Sequence, residues 1–271
     1  MGCGIAEVSA RSGMAVTLVE ANPVVAEQAT ASLRRSLERA AERGKLGDVQ
    51  EVLPHHSHGQ PRTARAERPD HGCDRRGGVC PGGPVPAACR VVTRPDAFLA
   101  SNTSSIPLMK RGAVTSRPKQ VLGVHFFSPV PALPLVELVP SLLTSPKTLA
   151  RARSWVDDVL GKRSIQSPDR AGFIVNALLV PFMLAANRMC ECGLASPEDI
   201  NRGLVLGAAH PPGPLALCDL IGLDTVKAVA HSLYDEFQEP QYATPPLLAR
   251  MVDAGLLGRK TGHGFYNYMS S

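Results

Sequence analysis

The stretch GVHFFSPVPALPLVE, residues 123–137, decides how this chain is read. Apolar residues alternate on both sides of a proline-rich centre. Gln120–Phe127 and Leu135–Val139 therefore read as two strands joined by the turn Ser128–Pro134. His125 and Glu137 each stand six residues from Pro131. If the strands run back beside one another, the two side chains meet across the turn. A carboxylate on one imidazole nitrogen fixes the tautomer and raises the basicity of the other, which makes a general base for taking a proton from an alcohol. A His–Glu bond that merely closes a hairpin has the same spacing, so both readings stand at this point.

Upstream, Phe98–Ala100 reads as a strand that delivers the polar loop Ser101-Asn-Thr-Ser-Ser105. At the carboxyl end of a parallel strand such a loop is placed to hold a ligand. Ser and Asn equally suit a helix-capping loop. Further upstream, Gly2–Ala10 has a helical pattern, Gly13 ends it, and Ala15–Glu20 is a short apolar strand ending in an acid. A helix opened by Gly2 and Gly4 and followed by a strand ending in Glu20 matches part of a dinucleotide-binding unit, where the acid takes the ribose hydroxyls. An ordinary helix–turn–strand is the alternative. Asn22-Pro23 starts a second helix, with Val25, Ala29, Leu33, Leu37 and Ala40 at helical spacing and Gly44 as its stop.

Downstream, Thr144–Leu160 reads as a helix capped by Ser145-Pro146 and stopped by Gly161, and Arg163–Gln166 as a last short strand. From Gly172 the pattern is helical: Phe173–Cys192, Ser196–Leu206, Pro214–Gln238 and Pro246–Ala254. Asn176 lies on an otherwise apolar helical face and must find partners, either across a domain interface or on a substrate. The fold class expected is α/β, a Rossmann-type dinucleotide-binding domain over residues 1–168, followed by an all-α domain over 169–271.

Bulk properties agree with two domains: 271 residues, 44% hydrophobic, 29 Lys+Arg against 24 Asp+Glu. That mild excess does not call for nucleic acid. No run approaches the roughly 18 apolar residues of a membrane span. Seven cysteines without a secretory pattern at Met1–Ala10 point to a reduced, cytoplasmic setting.

Residues 54–90 break the pattern. They contain six Pro, six Gly, six Arg, four His and three Cys, and no Leu, Ile, Met, Phe, Tyr or Trp. So little apolar bulk cannot offset the entropy of ordering, so the segment is expected to be irregular or disordered. Out-of-frame reading of a GC-rich gene yields such residues, and a pair of compensating frameshifts is one explanation. A metal-binding insert using His55, His56, His58, His71, Cys73, Cys80 and Cys89 is another, but the spacing lacks paired CxxC motifs and no metal is expected.

Seven ordered strings carry a resemblance. They are Ala100–Ile106 (ASNTSSI), Gly123–Pro131, Leu135–Leu138 (LVEL), Ala171–Asn176 (AGFIVN), His210–Pro214 (HPPGP), Asp219–Asp224 (DLIGLD) and Gly258–Tyr266 (GRKTGHGFY). Together they resemble the short-chain 3-hydroxyacyl-CoA dehydrogenases, in particular 3-hydroxybutyryl-CoA dehydrogenase-like members. The likeness runs from Gly2 to about Leu46 and from Val91 to Tyr268.

The resemblance implies His125 as general base and Glu137 as its orienting carboxylate. It implies Ser104 and Asn176 as catalytic, substrate-binding hydrogen-bond partners and Asn102 beside the nicotinamide. Gly2, Gly4 and Glu20 would serve NAD, the negative charge of Glu20 disfavouring the 2′-phosphate of NADP. It implies an acyl-CoA substrate, a role in fatty-acid β-oxidation or butanoate metabolism, and a homodimer through the helical domain. The family has a strand and two further glycines before the position of Gly2, so an N-terminally truncated domain with its first strand missing is expected. Ser128 stands where the family usually has Asn, and Pro212 where it often has Met. Two alternatives stay open: a catalytically silent relative that keeps the helical dimer domain but binds NAD weakly, and a dehydrogenase of a free hydroxy acid on the same fold.

Overall fold

The structure, a computed structural model, describes residues 1–20, 23–42, 44, 55–58, 78–80, 97–103, 108–113 and 115–269. Contacts divide the described residues between Asp169 and Arg170 into two compact units.

The first unit opens with α1 (Gly2–Arg11), which ends as Gly13 takes a φ of 74° and leads to β1 (Thr17–Glu20). Helix α2 (Pro23–Glu42) buries Leu33 and Leu37, one turn apart, while Val25 is exposed. The expectation of an irregular segment over 54–90 is corrected at two places. His55–His58 forms β2, parallel to β1, and Gly78–Cys80 forms β3, parallel to β4 (Leu99–Ser101). A strand needs ladder hydrogen bonds from its backbone, and a partner already in place supplies them without large apolar side chains. The other residues of 54–90 lie outside the described part.

A five-stranded sheet, ordered β3-β4-β5-β6-β7, carries the rest of the unit. Strand β5 (Val121–Phe126) is parallel to β4. Strand β6 (Leu135–Pro140) returns antiparallel to β5, and β7 (Arg163–Gln166) is parallel to β6. Between β6 and β7 lies α4 (Pro146–Ser154), where the Ser145 side chain accepts from the Thr148 amide, and its π-helical continuation Trp155–Val159.

Period-2 alternation gives the sheet two different faces. Leu122, Val124 and Phe126 of β5 and Val136 and Leu138 of β6 join a core with Ile5 and Val8 of α1 and Ala152, Trp155 and Val156. Full burial of such a side chain contributes about 2 kcal/mol, so this face holds the sheet. The other face is free to carry polar groups. There Gly123 admits Leu108, the first residue of the short helix α3 (Leu108–Ala113): a Cβ at Gly123 would stand 2.6 Å from Leu108 Cδ1 and 2.9 Å from Val139 Cβ.

The second unit is helical: α5 (Val175–Glu191), α6 (Pro197–Ala208), α7 (Pro214–Ile221), α8 (Leu223–Phe237) and α9 (Pro246–Asp253). The single helix expected over Pro214–Gln238 is corrected to two. Gly222 breaks it with φ 101° and ψ 126°, a conformation open to glycine and not to a helix interior. Val180, Met183 and Leu184 of α5 pack with Leu223, Val226 and Leu233 of α8 and Leu248 of α9. Asp219, buried on α7, accepts from the amides of Phe265 and Tyr266 and from the Tyr268 hydroxyl, and so ties down the segment Phe265–Tyr268. No helix among the described residues is long and apolar enough to cross a membrane.

Candidate active site

The antiparallel register pairs Leu122 with Pro140 and so forces His125 opposite Glu137, on the face away from the core. Their side chains meet: His125 Nδ1 lies 2.8 Å from Glu137 Oε2. Glu137 is 0% exposed and His125 7%. A buried carboxylate accepts only, so Nδ1 carries the proton and Nε2 carries the basic lone pair. The Phe127 ring stands edge-on to the imidazole at 4.8 Å and limits its rotation.

Asn102 follows β4. The β4–β5 register ends at Ser101 opposite Gly123, and beyond it Asn102 Oδ1 accepts from the Phe126 amide at 2.8 Å. The side chain thus extends the pairing to the strand end that bears His125, and its amide nitrogen remains a donor group at that edge. Ser104 lies outside the described residues. Asn176 is the second residue of α5, half-buried, in the helical unit.

Two residues that sequence reasoning does not single out brace the backbone around these strands. The Asp169 carboxylate accepts from the Leu108 and Met109 amides, both at 2.9 Å, and caps α3. Lys162 Nζ donates to the carbonyls of Val130 and Leu133 in the β5–β6 turn, both at 2.7 Å. Burial, with the charge of Arg11 adding to it, holds the Lys162 ammonium below the usual lysine range. The weak sequence signals were an acid just past β7 and a lysine just before it.

Gly2 and Gly4 open α1. A Cβ at Gly2 would meet nothing within 4 Å, whereas one at Gly4 would stand 3.0 Å from Val130 Cβ. Gly4 thus has a packing role against the turn, whatever else it contacts. The first turn of α1 contains no acid, and Met1 makes no side-chain cap. Its leading N–H groups have no intrahelical acceptor, which suits a pyrophosphate. Glu20 ends β1, and its side chain lies outside the described part. The residues present therefore fit a dinucleotide: open amides at a glycine, followed by a strand ending in an acid. Among the described residues there is no group of three or more His, Cys, Asp or Glu able to hold a metal. The candidate ligands of 54–90 lie outside the described side chains.

Comparison with known proteins agrees over nearly the whole chain. The family model for the 3-hydroxyacyl-CoA dehydrogenase NAD binding domain matches residues 1–66 and 85–170, and that for the C-terminal domain matches 172–268. The likeness thus passes over 67–84, a narrower gap than 54–90. A 3-hydroxybutyryl-CoA dehydrogenase of Mycobacterium tuberculosis is 48% identical, covering 99% of this chain and 95% of that protein. The mitochondrial hydroxyacyl-coenzyme A dehydrogenase of Sus scrofa is 36% identical, with 99% and 88% covered. Among solved structures, M. tuberculosis FadB2 superposes with a TM-score of 0.89 at 45% identity, covering 99% of this chain and 95% of that one. The (S)-3-hydroxybutyryl-CoA dehydrogenase PaaH1 of Ralstonia eutropha gives 0.84 at 36%, with 100% and 96% covered.

Proposed function

The chain belongs to the 3-hydroxyacyl-CoA dehydrogenase family, whose oxidoreductases use NAD, and we propose that it interconverts a short-chain 3-hydroxyacyl-CoA and the 3-oxoacyl-CoA with His125 as its general base. The carrying observation is the 2.8 Å bond between His125 and Glu137 on the polar face of the sheet. In the oxidation, His125 Nε2 takes the proton of the C3 hydroxyl. Glu137 keeps the imidazole in the competent tautomer and stabilises the imidazolium that forms. NAD, when bound, supplies the acceptor for the hydride leaving C3. In reduction the same imidazolium returns the proton to the new alkoxide oxygen.

Ser104 and Asn176 would hydrogen-bond the substrate oxygens, with Asn102 beside the nicotinamide. The amides opened by Gly2 and Gly4 would take the pyrophosphate and Glu20 the adenine ribose. The relatives named for 3-hydroxybutyryl-CoA support a four-carbon acyl substrate, in fatty-acid β-oxidation or butanoate metabolism. We place the protein in the cytoplasm as a homodimer. Leu178, Leu194, Leu206 and Leu220 of the helical unit, each at least half exposed, support a dimer surface there.

Turnover of acetoacetyl-CoA with NADH by the purified chain, compared with His125→Gln, tests the reading. A loss of about 10²-fold or more is expected, and an active His125→Gln would defeat it. The unmatched residues 67–84 favour a second reading, a relative that dimerises but binds NAD weakly. NAD titration, alongside light scattering for the dimer, separates the two. Comparing acetoacetyl-CoA with a free hydroxy acid separates a change of substrate.

A further inference from the structure

The turn between β5 and β6 connects the two halves of the candidate site. Strand β5 ends one residue past His125, and β6 begins two residues before Glu137. Within the turn, the amides of Ala132 and Leu133 both donate to the Pro129 carbonyl. That closes one side only. The carbonyls of Val130 and Leu133 are met instead by Lys162 Nζ. Lys162 immediately precedes β7, whose first amide, Arg163 N, donates to the Pro134 carbonyl at 2.8 Å. The lysine is thus anchored on the neighbour of the strand that carries Glu137 and reaches across the turn. The same turn seats α1, because Val130 and Pro131 fill the space that a side chain at Gly4 would need.

Lys162 is 8% exposed, and its partners among the described residues are neutral carbonyls rather than a carboxylate. A desolvated ammonium is an expensive means of bracing a turn. What two charge-assisted hydrogen bonds supply is a fixed direction and distance.

We propose that Lys162 is a positioning residue for the reaction: by holding the Val130 and Leu133 carbonyls it fixes the one turn that sets both the His125–Glu137 contact and the seat of the first turn of α1. The proposal rests on the reading of His125 as the base. Lys162 acts through the turn, by its hydrogen bonds to the Val130 and Leu133 carbonyls. Its removal loosens two things together, the imidazole tautomer and the amides offered to the dinucleotide.

The test compares the full chain with Lys162→Met, which keeps the apolar stem and loses the donors, and with Lys162→Arg. The His125 ring is followed by 15N NMR, assigned with His125→Gln, and needs neither cofactor nor turnover. Lys162→Met is expected to lose the defined Nδ1–H signal and to bind NAD about tenfold more weakly. Its kcat should fall about tenfold or more while KM for the acyl-CoA changes less than about threefold. Lys162→Arg should recover part of each. If Lys162→Met does not fold, Lys162→Gln replaces it: its amide can hold one carbonyl but not both, and the same direction of change is required. A folded Met or Gln variant with an unaltered His125 signal, and with kcat and NAD affinity within about twofold of the parent, would overturn the proposal. The base assignment fails separately, if His125→Gln remains active.

Discussion

Nδ1 of His125 faces Oε2 of Glu137 at 2.8 Å, and the two residues are direct partners in the β5–β6 ladder. The contact is made across a pleated ladder whose two strands are joined by the turn Ser128–Pro134. Replacing Glu137 by Gln keeps shape and volume but lets an amide N–H face Nδ1, which favours the tautomer with the proton on Nε2. A base protonated at Nε2 cannot take the substrate's proton. The expected loss in kcat for Glu137→Gln is about 10²–10⁴-fold with little change in fold. Steady-state turnover of acetoacetyl-CoA measures it, and a loss under about tenfold would reduce Glu137 to a structural partner.

Gly123 precedes His125 by two residues and shares its face of β5. Gly123→Ala would press a methyl into the buried Leu108 side chain and against the Cβ of Val139. Overpacking of this kind costs about 1–3 kcal/mol. The strain falls on α3 and on the strand that presents the imidazole, so kcat should fall as well as the melting temperature. Thermal unfolding and turnover on the same sample check both.

The His125–Glu137 pairing is legible in the sequence because two alternating runs are symmetric about Pro131, and symmetry fixes an antiparallel register. The β7 strand is equally legible, lying between Gly161 and the helical half. The break at Gly222 is not. Glycine in a helix costs only about 1 kcal/mol against alanine, so a continuous apolar pattern across it reads as one helix. Strands β2 and β3 are hidden for a different reason. His55–His58 has no apolar alternation, and its pairing with β1 is a parallel backbone ladder. Lys162 and Asp169 also go unseen. Their partners are backbone groups 29–61 residues away, and a carbonyl or amide leaves no mark in the sequence.

Asp219 closes the helical unit. Two backbone amides and one phenol depend on its carboxylate, and Gly264 leaves no space for any side chain against it. Asp219→Ala would leave the Phe265 and Tyr266 amides without their acceptor. These amides are partly buried, so each orphan falls toward the low end of the about 1–3 kcal/mol cost of a buried one, and the total is about 2 kcal/mol. The expected result is early loss of protection of these amides in hydrogen exchange, with α1 to β7 unchanged. Equal loss in both units would contradict a role confined to the helical unit.

Cys218 sits beside Asp219 and gives the protein an alkaline weakness. Burial pushes its thiol up from 9.0 to about 12; the Asp219 charge adds to the rise, and the Asn187 amide, 3.6 Å from the sulfur, opposes it. The unfolded chain therefore loses this proton near pH 9, while the folded chain keeps it to about pH 12. Within that window the unfolded state binds fewer protons, so stability falls as pH rises, by at most about 1.4 kcal/mol per pH unit from this group. Below pH 9 the group contributes no slope. Tyr266, also raised to about 12 and chiefly by burial, acts in the same direction above pH 10. Urea unfolding between pH 8 and 10.5 should show the decline, and Cys218→Ala should flatten it. The slope is the quantity to compare, since the small cavity left by the substitution lowers stability at every pH. The exposed Cys192 should react with a thiol reagent while native Cys218 does not. An undiminished slope in Cys218→Ala would move the alkaline weakness to Tyr266 or to groups outside this cluster.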